Sequence, residues 1–86
     1  MNDYSLAFKA SARKELEALP NIALTRILAK LETLTQNPRP VGCKKLKGFK
    51  NYWRVRVGDW RVVYVIEDPA KAVTVTRIAH RRDVYE

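Results

Sequence analysis

Eighty-six residues, 47% hydrophobic and 30% charged, build one globular domain with a single modest core and exclude a disordered chain or two separate cores. The net charge of +8 is unevenly spread: residues 39–66 carry a balance of +7, against +1 before them and zero after them. Such concentration attracts a polyanion or an acidic protein and makes the binding salt-sensitive.

In chain order, DYSLAF (Asp3 to Phe8) reads as a short first strand. A helical pattern follows, with Ala12, Leu16 and Leu19 able to share a face. Pro20 punctuates it, and NIALTRILAKLETLTQ fits a second helix with Leu24, Ile27, Leu28, Leu31 and Leu34 or Thr35 on one stripe. NPRPVG (37–42) ends the helical pattern with two prolines and a glycine, and CKKLKGFKN forms a basic connector. The stretch RVRVGDWRVVY reads as two strands around a Gly58-Asp59 turn, pairing Val57 with Trp60, Arg56 with Arg61 and Arg54 with Val63. EDPAK is a loop, and AVTVTRIA (Ala72 to Ala79) has the β-branched richness of a last strand. The expected fold is α+β, a single domain over 1–86 in the order β-α-α-β-β-β. A two-helix hairpin packs on one face of a small, mostly antiparallel four-stranded sheet, and the other face stays open.

Alternation along the hairpin puts Arg54, Arg56 and Arg61 on the open face, while Trp53, Val55, Val57, Trp60, Val62 and Tyr64 share the core face. Arg56 opposite Arg61 is a like-charge cross-strand pair, unfavourable unless something anionic sits between the two. The register of Ala72 to Ala79, and with it the face taken by Arg77, is left open. IAHRRDVYE places His80, Arg81, Arg82 and Tyr85 at the sheet margin after that strand, and Arg81 and Tyr85, if they curl over the hairpin, join Arg54, Arg56 and Arg61 in one concave, donor-rich site.

Guanidinium forks match phosphate oxygens, and several together stabilise the charge of a pentacoordinate phosphorane. RNA cleavage can proceed without a metal, because the neighbouring ribose 2′-hydroxyl is itself a nucleophile. It needs charge stabilisation, in-line geometry and proton transfer. Arginine, with a pKa above about 12, is a poor base, which leaves His80 and Tyr85 as titratable groups near the site. Tyr85 can alternatively stack on a base, and Lys44, Lys45 and Lys47 can steer RNA. The lone Cys43 and lone His80 give no disulfide and no zinc set, so no metal or other cofactor is expected. No apolar run approaches the roughly 18 residues of a membrane span, and MNDYSLAFKA lacks the regions of a signal peptide. A cytoplasmic protein without a membrane partner is expected.

The run KLKGFKNYWRVRVGDWRVVY, followed by a strand and then AHRRDVY, resembles the RelE branch of the RelE/ParE superfamily of bacterial type II toxins over nearly the whole chain. The resemblance implies a ribonuclease that enters the ribosomal A site and cuts mRNA there by metal-independent 2′-hydroxyl attack. It implies that Arg61 and Arg81 bind phosphate and stabilise the transition state, and that Tyr85 orients or stacks on the substrate. Arg54 and Arg56 stand where well-studied members have lysines, so lysine-assisted proton transfer is not carried over, and His80 is left to take a larger role. A cognate antitoxin is implied as partner, with operator DNA reached only through the toxin-antitoxin complex. The ParE branch, which inhibits DNA gyrase by protein contact, is the alternative.

Overall fold

Among the described residues, the alternation and helical spacing in the sequence translate into five strands and two helices. The computed structural model describes residues 3–48 and 50–83. Strand β1 (Ser5–Phe8) leads into helix α1 (Ala10–Glu17), and helix α2 (Asn21–Gln36) follows. Strands β2 (Lys44–Lys45), β3 (Tyr52–Val57), β4 (Trp60–Glu67) and β5 (Ala72–His80) complete the sheet, and a 3-10 turn over Arg81–Asp83 comes next.

Proline placement separates the helices. Pro20 disfavours helical geometry in the residue before it, so α1 ends ahead of Leu19. The Pro20 carbonyl then accepts the Leu24 N–H at 2.8 Å and opens α2. At the far end Asn37 leaves the helix in extended geometry, and its side-chain oxygen accepts the Arg39 N–H at 3.2 Å, the local bond by which asparagine favours turns.

The sheet order is β1-β5-β4-β3-β2. β1 runs parallel to β5, while the remaining neighbours are antiparallel. The hairpin register is the expected one, with Val57 opposite Trp60, Arg56 opposite Arg61 and Arg54 opposite Val63. Gly58, at φ +60°, takes the first central position of the two-residue turn, the place that a type II′ hairpin reserves for glycine. The expected count of four strands is corrected to five. Lys44 and Lys45, read as connector, pair with Arg54 and Trp53 as a two-residue edge strand; it is too short to show alternation in the sequence, and its lysines suit an edge.

Both helices cover one face. Ala12, Ile27, Leu31 and Leu34 are fully buried against Val62, Tyr64, Ile66, Val73 and Val75, each large side chain contributing roughly 1.5–3 kcal/mol of hydrophobic transfer. The buried stripe of α2 is centred on Ala23, Ile27, Leu31 and Leu34, so Leu28, expected on it, instead lies 45% exposed. Tyr64 satisfies its hydroxyl inside the core by donating to the Pro38 carbonyl at 2.7 Å, which ties the loop after α2 to the middle of the sheet.

Candidate functional site

The face opposite the helices carries two cross-strand rows. The first runs Lys44, Arg54, Val63, Arg77 across β2 to β5, and the second runs Arg56, Arg61, Ala79 across β3 to β5. Four guanidinium groups therefore start from adjacent positions of one sheet face, with Lys44 at its edge.

Arg77 reaches this face through an irregularity. Val73 and Val75 point into the core, and strict alternation would send Arg77 after them. The β4–β5 register slips between Val63 and Tyr64: Tyr64 pairs with Val75 and Val63 with Arg77, leaving Thr76 as the extra residue. Beyond this bulge the phase is inverted, so Ile78 is buried at 2% exposure while Arg77 is exposed. Two side-chain bonds hold the slip. Thr76 donates its hydroxyl to the Val63 carbonyl at 3.2 Å. The Ile78 N–H donates to Glu15 Oε1 of α1 at 2.7 Å, which satisfies a backbone donor on the β5 edge beyond the end of β1.

Arg54 is buried to 4% exposure, although it lies on the face without helices. Burial, and then the neighbouring charges of Arg61 and Arg56, hold its guanidinium below the ordinary arginine range. Arginine nevertheless stays protonated, so the site holds a fixed, partly desolvated cation with like charges around it. An oxyanion placed there gains charge-assisted hydrogen bonds and relieves the repulsion.

The other expected residues divide. Lys44 is on the arginine face opposite Arg54, whereas Lys45, opposite Trp53, is on the helix-side face, and Lys47 is exposed in the following loop. Arg81 is anchored at the hairpin tip: its N–H donates to the Asp59 carbonyl at 2.8 Å, and its Nη1 lies 3.8 Å from Asp59 Oδ1. His80 does not join the arginines. It pairs with Trp60 and meets that ring edge-on, with centroids 5.3 Å apart, and it lines a groove at the β5 edge beside α1 with Glu15, Leu19, Ile78 and, from the rim, Arg77. Its neighbours along the strand give the reason, since Ala79, opposite Arg61, takes the arginine face and alternation turns His80 away. His80 Nδ1 accepts the Arg82 N–H at 3.3 Å, steadying the turn that bears Arg81. Tyr85 lies outside the described residues.

Arg77 is the member of the cluster that the sequence left unassigned. The available signal was a phase slip, with apolar positions 73 and 75 followed by 78, because uninterrupted alternation would bury an arginine. Among the described residues, no group of three or more His, Cys, Asp or Glu side chains comes together in a way that could hold a metal. No helix there is long and apolar enough to cross a membrane.

Comparison with known proteins agrees with this architecture. The family model described as the ParE toxin of type II toxin-antitoxin systems, parDE, matches residues 6–85. Toxin RelE of Mycobacterium tuberculosis is 32% identical over 83 residues, covering 95% of this chain and 86% of that protein. Toxin RelG of the same organism is 29% identical over 83 residues, covering 95% of each. Among solved structures, the archaeal RelE-RelB complex from Pyrococcus horikoshii contains a chain that superposes with a TM-score of 0.82 at 25% identity, covering 95% of this chain and 99% of that one. A chain of the intact E. coli RelBE toxin-antitoxin complex gives 0.81 at 25% identity, over 90% and 95%.

Proposed function

Because this chain belongs to the ParE toxin family of type II toxin-antitoxin systems and is RelE-like within the RelE/ParE superfamily, we propose that it is a ribosome-dependent mRNA endoribonuclease. The observation that carries this reading is the open sheet face, where Arg54, buried to 4% exposure, sits beside Arg56 and Arg61. An assembly of like charges of this kind costs stability, and an anion of matching shape relieves it.

In the proposed reaction the ribose 2′-hydroxyl attacks the adjacent phosphorus and the bond from phosphorus to the 5′-oxygen breaks. The hydroxyl proton is lost, the leaving oxygen gains one, and a 2′,3′-cyclic phosphate and a 5′-hydroxyl remain. Arg61 and Arg81 hold the scissile phosphate and stabilise the phosphorane, Arg54 and Arg56 supply fixed positive charge beside it, and Tyr85 positions a base. No metal takes part. His80, facing Trp60, acts through the turn that bears Arg81 rather than as the base. The ribosomal A site supplies the in-line geometry and aids proton transfer. Lys44, Lys45 and Lys47 assist RNA association electrostatically, with Lys44 the best placed of the three.

The protein acts in the cytoplasm and is neutralised by a cognate antitoxin whose acidic, disordered segment folds onto the basic face; operator DNA is reached only through that complex. Both structural relatives come from toxin-antitoxin complexes, which supports such a partner. The test is 5′-end mapping of a reporter mRNA after brief induction, comparing a translated copy with one lacking its start codon. Cuts within codons of the translated copy alone are expected, and Arg61→Ala or Arg81→Ala should abolish them while the fold and antitoxin binding persist. Wild-type cutting by both variants would end the assignment of roles. The ParE description of the matching family supports one other reading, inhibition of DNA gyrase by protein contact; DNA-damage signalling with intact mRNA would favour it.

A further inference from the structure

We infer that Arg77 is a phosphate-positioning residue of this interface, holding the RNA backbone on the side of Arg54 away from Lys44. This rests on the proposed ribonuclease reading and adds a residue to it. The β-bulge at Thr76 is the structural basis. Without that extra residue, Arg77 would follow Val73 and Val75 toward the core and Ile78 would face solvent; with it, Arg77 stands in the same cross-strand row as Arg54. The fold uses two side chains to keep this arrangement, the hydroxyl of Thr76 on the Val63 carbonyl and the carboxylate of Glu15 on the Ile78 N–H. A bulge that re-aims one side chain beside a site is a recurrent use of the motif.

Geometry separates the role of Arg77 from that of its neighbours. Lys44 and Arg77 are three strand spacings apart in one row, about 14 Å between backbones. They therefore grip the backbone at different phosphates, with Arg54 between them. Val63 lies opposite Arg77 where the next row has Arg61 opposite Arg56, so Arg77 is offset from the pair at the hairpin tip. A residue at that offset strengthens binding of substrate and transition state alike, which raises affinity and leaves the rate of the bound complex nearly unchanged.

The experiment measures the affinity of the whole protein for a fluorescent single-stranded RNA across a salt series, together with the cleavage rate on programmed ribosomes at saturating and limiting enzyme. Wild type is compared with Arg77→Ala, Arg77→Lys and Lys14→Ala, the last removing a charge from the exposed surface of α1. For Arg77→Ala, we expect about tenfold weaker RNA binding. Its slope of log affinity against log salt should be shallower by about 0.7, the change for one phosphate contact on a single strand. Its saturating cleavage rate should stay within about twofold of wild type, an expectation of the uniform-binding role. Arg77→Lys should recover the salt slope, and Lys14→Ala should leave the slope unchanged. An unaltered slope in Arg77→Ala, with wild type binding and cleaving normally, overturns the assignment of Arg77 alone. Wild-type protein that neither binds the RNA nor cuts translated mRNA overturns the ribonuclease reading and this inference with it.

Discussion

Replacing Arg54 with methionine should stabilise the protein while disabling it. The side chain is 4% exposed, and Arg56 and Arg61 both depress its guanidinium pKa. Side chains two residues apart on a strand or diagonal across a pair stand about 7 Å apart at their bases; like charges at that spacing repel by roughly 2 kcal/mol at an effective dielectric near 20, and physiological salt removes more than half of that. Two such neighbours leave about 2 kcal/mol of repulsion, to which desolvation adds and from which the guanidinium's own contacts subtract. Methionine keeps the apolar stem packed, so Arg54→Met should gain about 1–2 kcal/mol, with each kcal/mol raising Tm by about 4–8 °C in a domain of this size. Urea unfolding followed by the fluorescence of Trp53 and Trp60 measures it. The same titration in inorganic phosphate supplies a second reading: wild type should gain about 1.4 kcal/mol when phosphate exceeds its dissociation constant tenfold, and Arg54→Met should gain much less. A destabilised Arg54→Met, together with a wild type whose stability ignores phosphate, would refute the reasoning that this charge is held for an anion.

Other consequences are as specific. Glu15→Ala leaves the Ile78 N–H without its 2.7 Å acceptor and should cost about 1–3 kcal/mol in urea unfolding, while Glu15→Gln, which retains an acceptor oxygen, should recover most of that. Tyr64→Phe removes the buried hydroxyl that donates to Pro38 and should cost about 1 kcal/mol by the same measurement. Asp68 accepts from Arg39 at 2.8 and 3.3 Å and from Tyr4 at 2.7 Å, and these bonds, that of Arg39 the strongest, hold its carboxyl down to about 2. A depressed carboxyl contributes its full stabilisation above the unfolded value near 4 and loses it as pH falls toward 2. Asp68→Asn should therefore flatten the acid limb of stability between those values, and an Asp68 that titrates near 4 by NMR would contradict this.

The parts of the fold legible in the sequence were those governed by a single local rule. Asn21 to Gln36 was bounded by prolines, and Gly58-Asp59 left only one sensible register for the flanking valines and tryptophans. That register alone placed Arg54, Arg56 and Arg61 together. What stayed hidden depended on contacts between distant residues. β2 is formed against the edge that β3 offers, and the Ile78 N–H beyond the bulge in β5 is met by a carboxylate 63 positions earlier in the chain. The sheet face of His80 stayed open for the same reason: its nearness in sequence to Arg81 says nothing about that face, which follows from the bulge.

The bulge also explains how a small sheet reconciles two demands on β5. Its central part must bury Val73 and Val75 against α1 and the rest of the core, while its end must bury Ile78 and still present a cation beside Arg54. An uninterrupted strand cannot do both, because side chains alternate with period two. One extra residue at Thr76 changes the parity. The resulting backbone irregularity then requires a partner for the exposed N–H, and Glu15 supplies it from the helix layer. The helix layer thereby braces the stretch of β5 that presents Arg77 on the opposite face. Thermodynamic coupling between Glu15→Ala and Arg77→Ala in RNA binding would be the signature of that link, and strict additivity of the two would show that the strand holds its phase unaided.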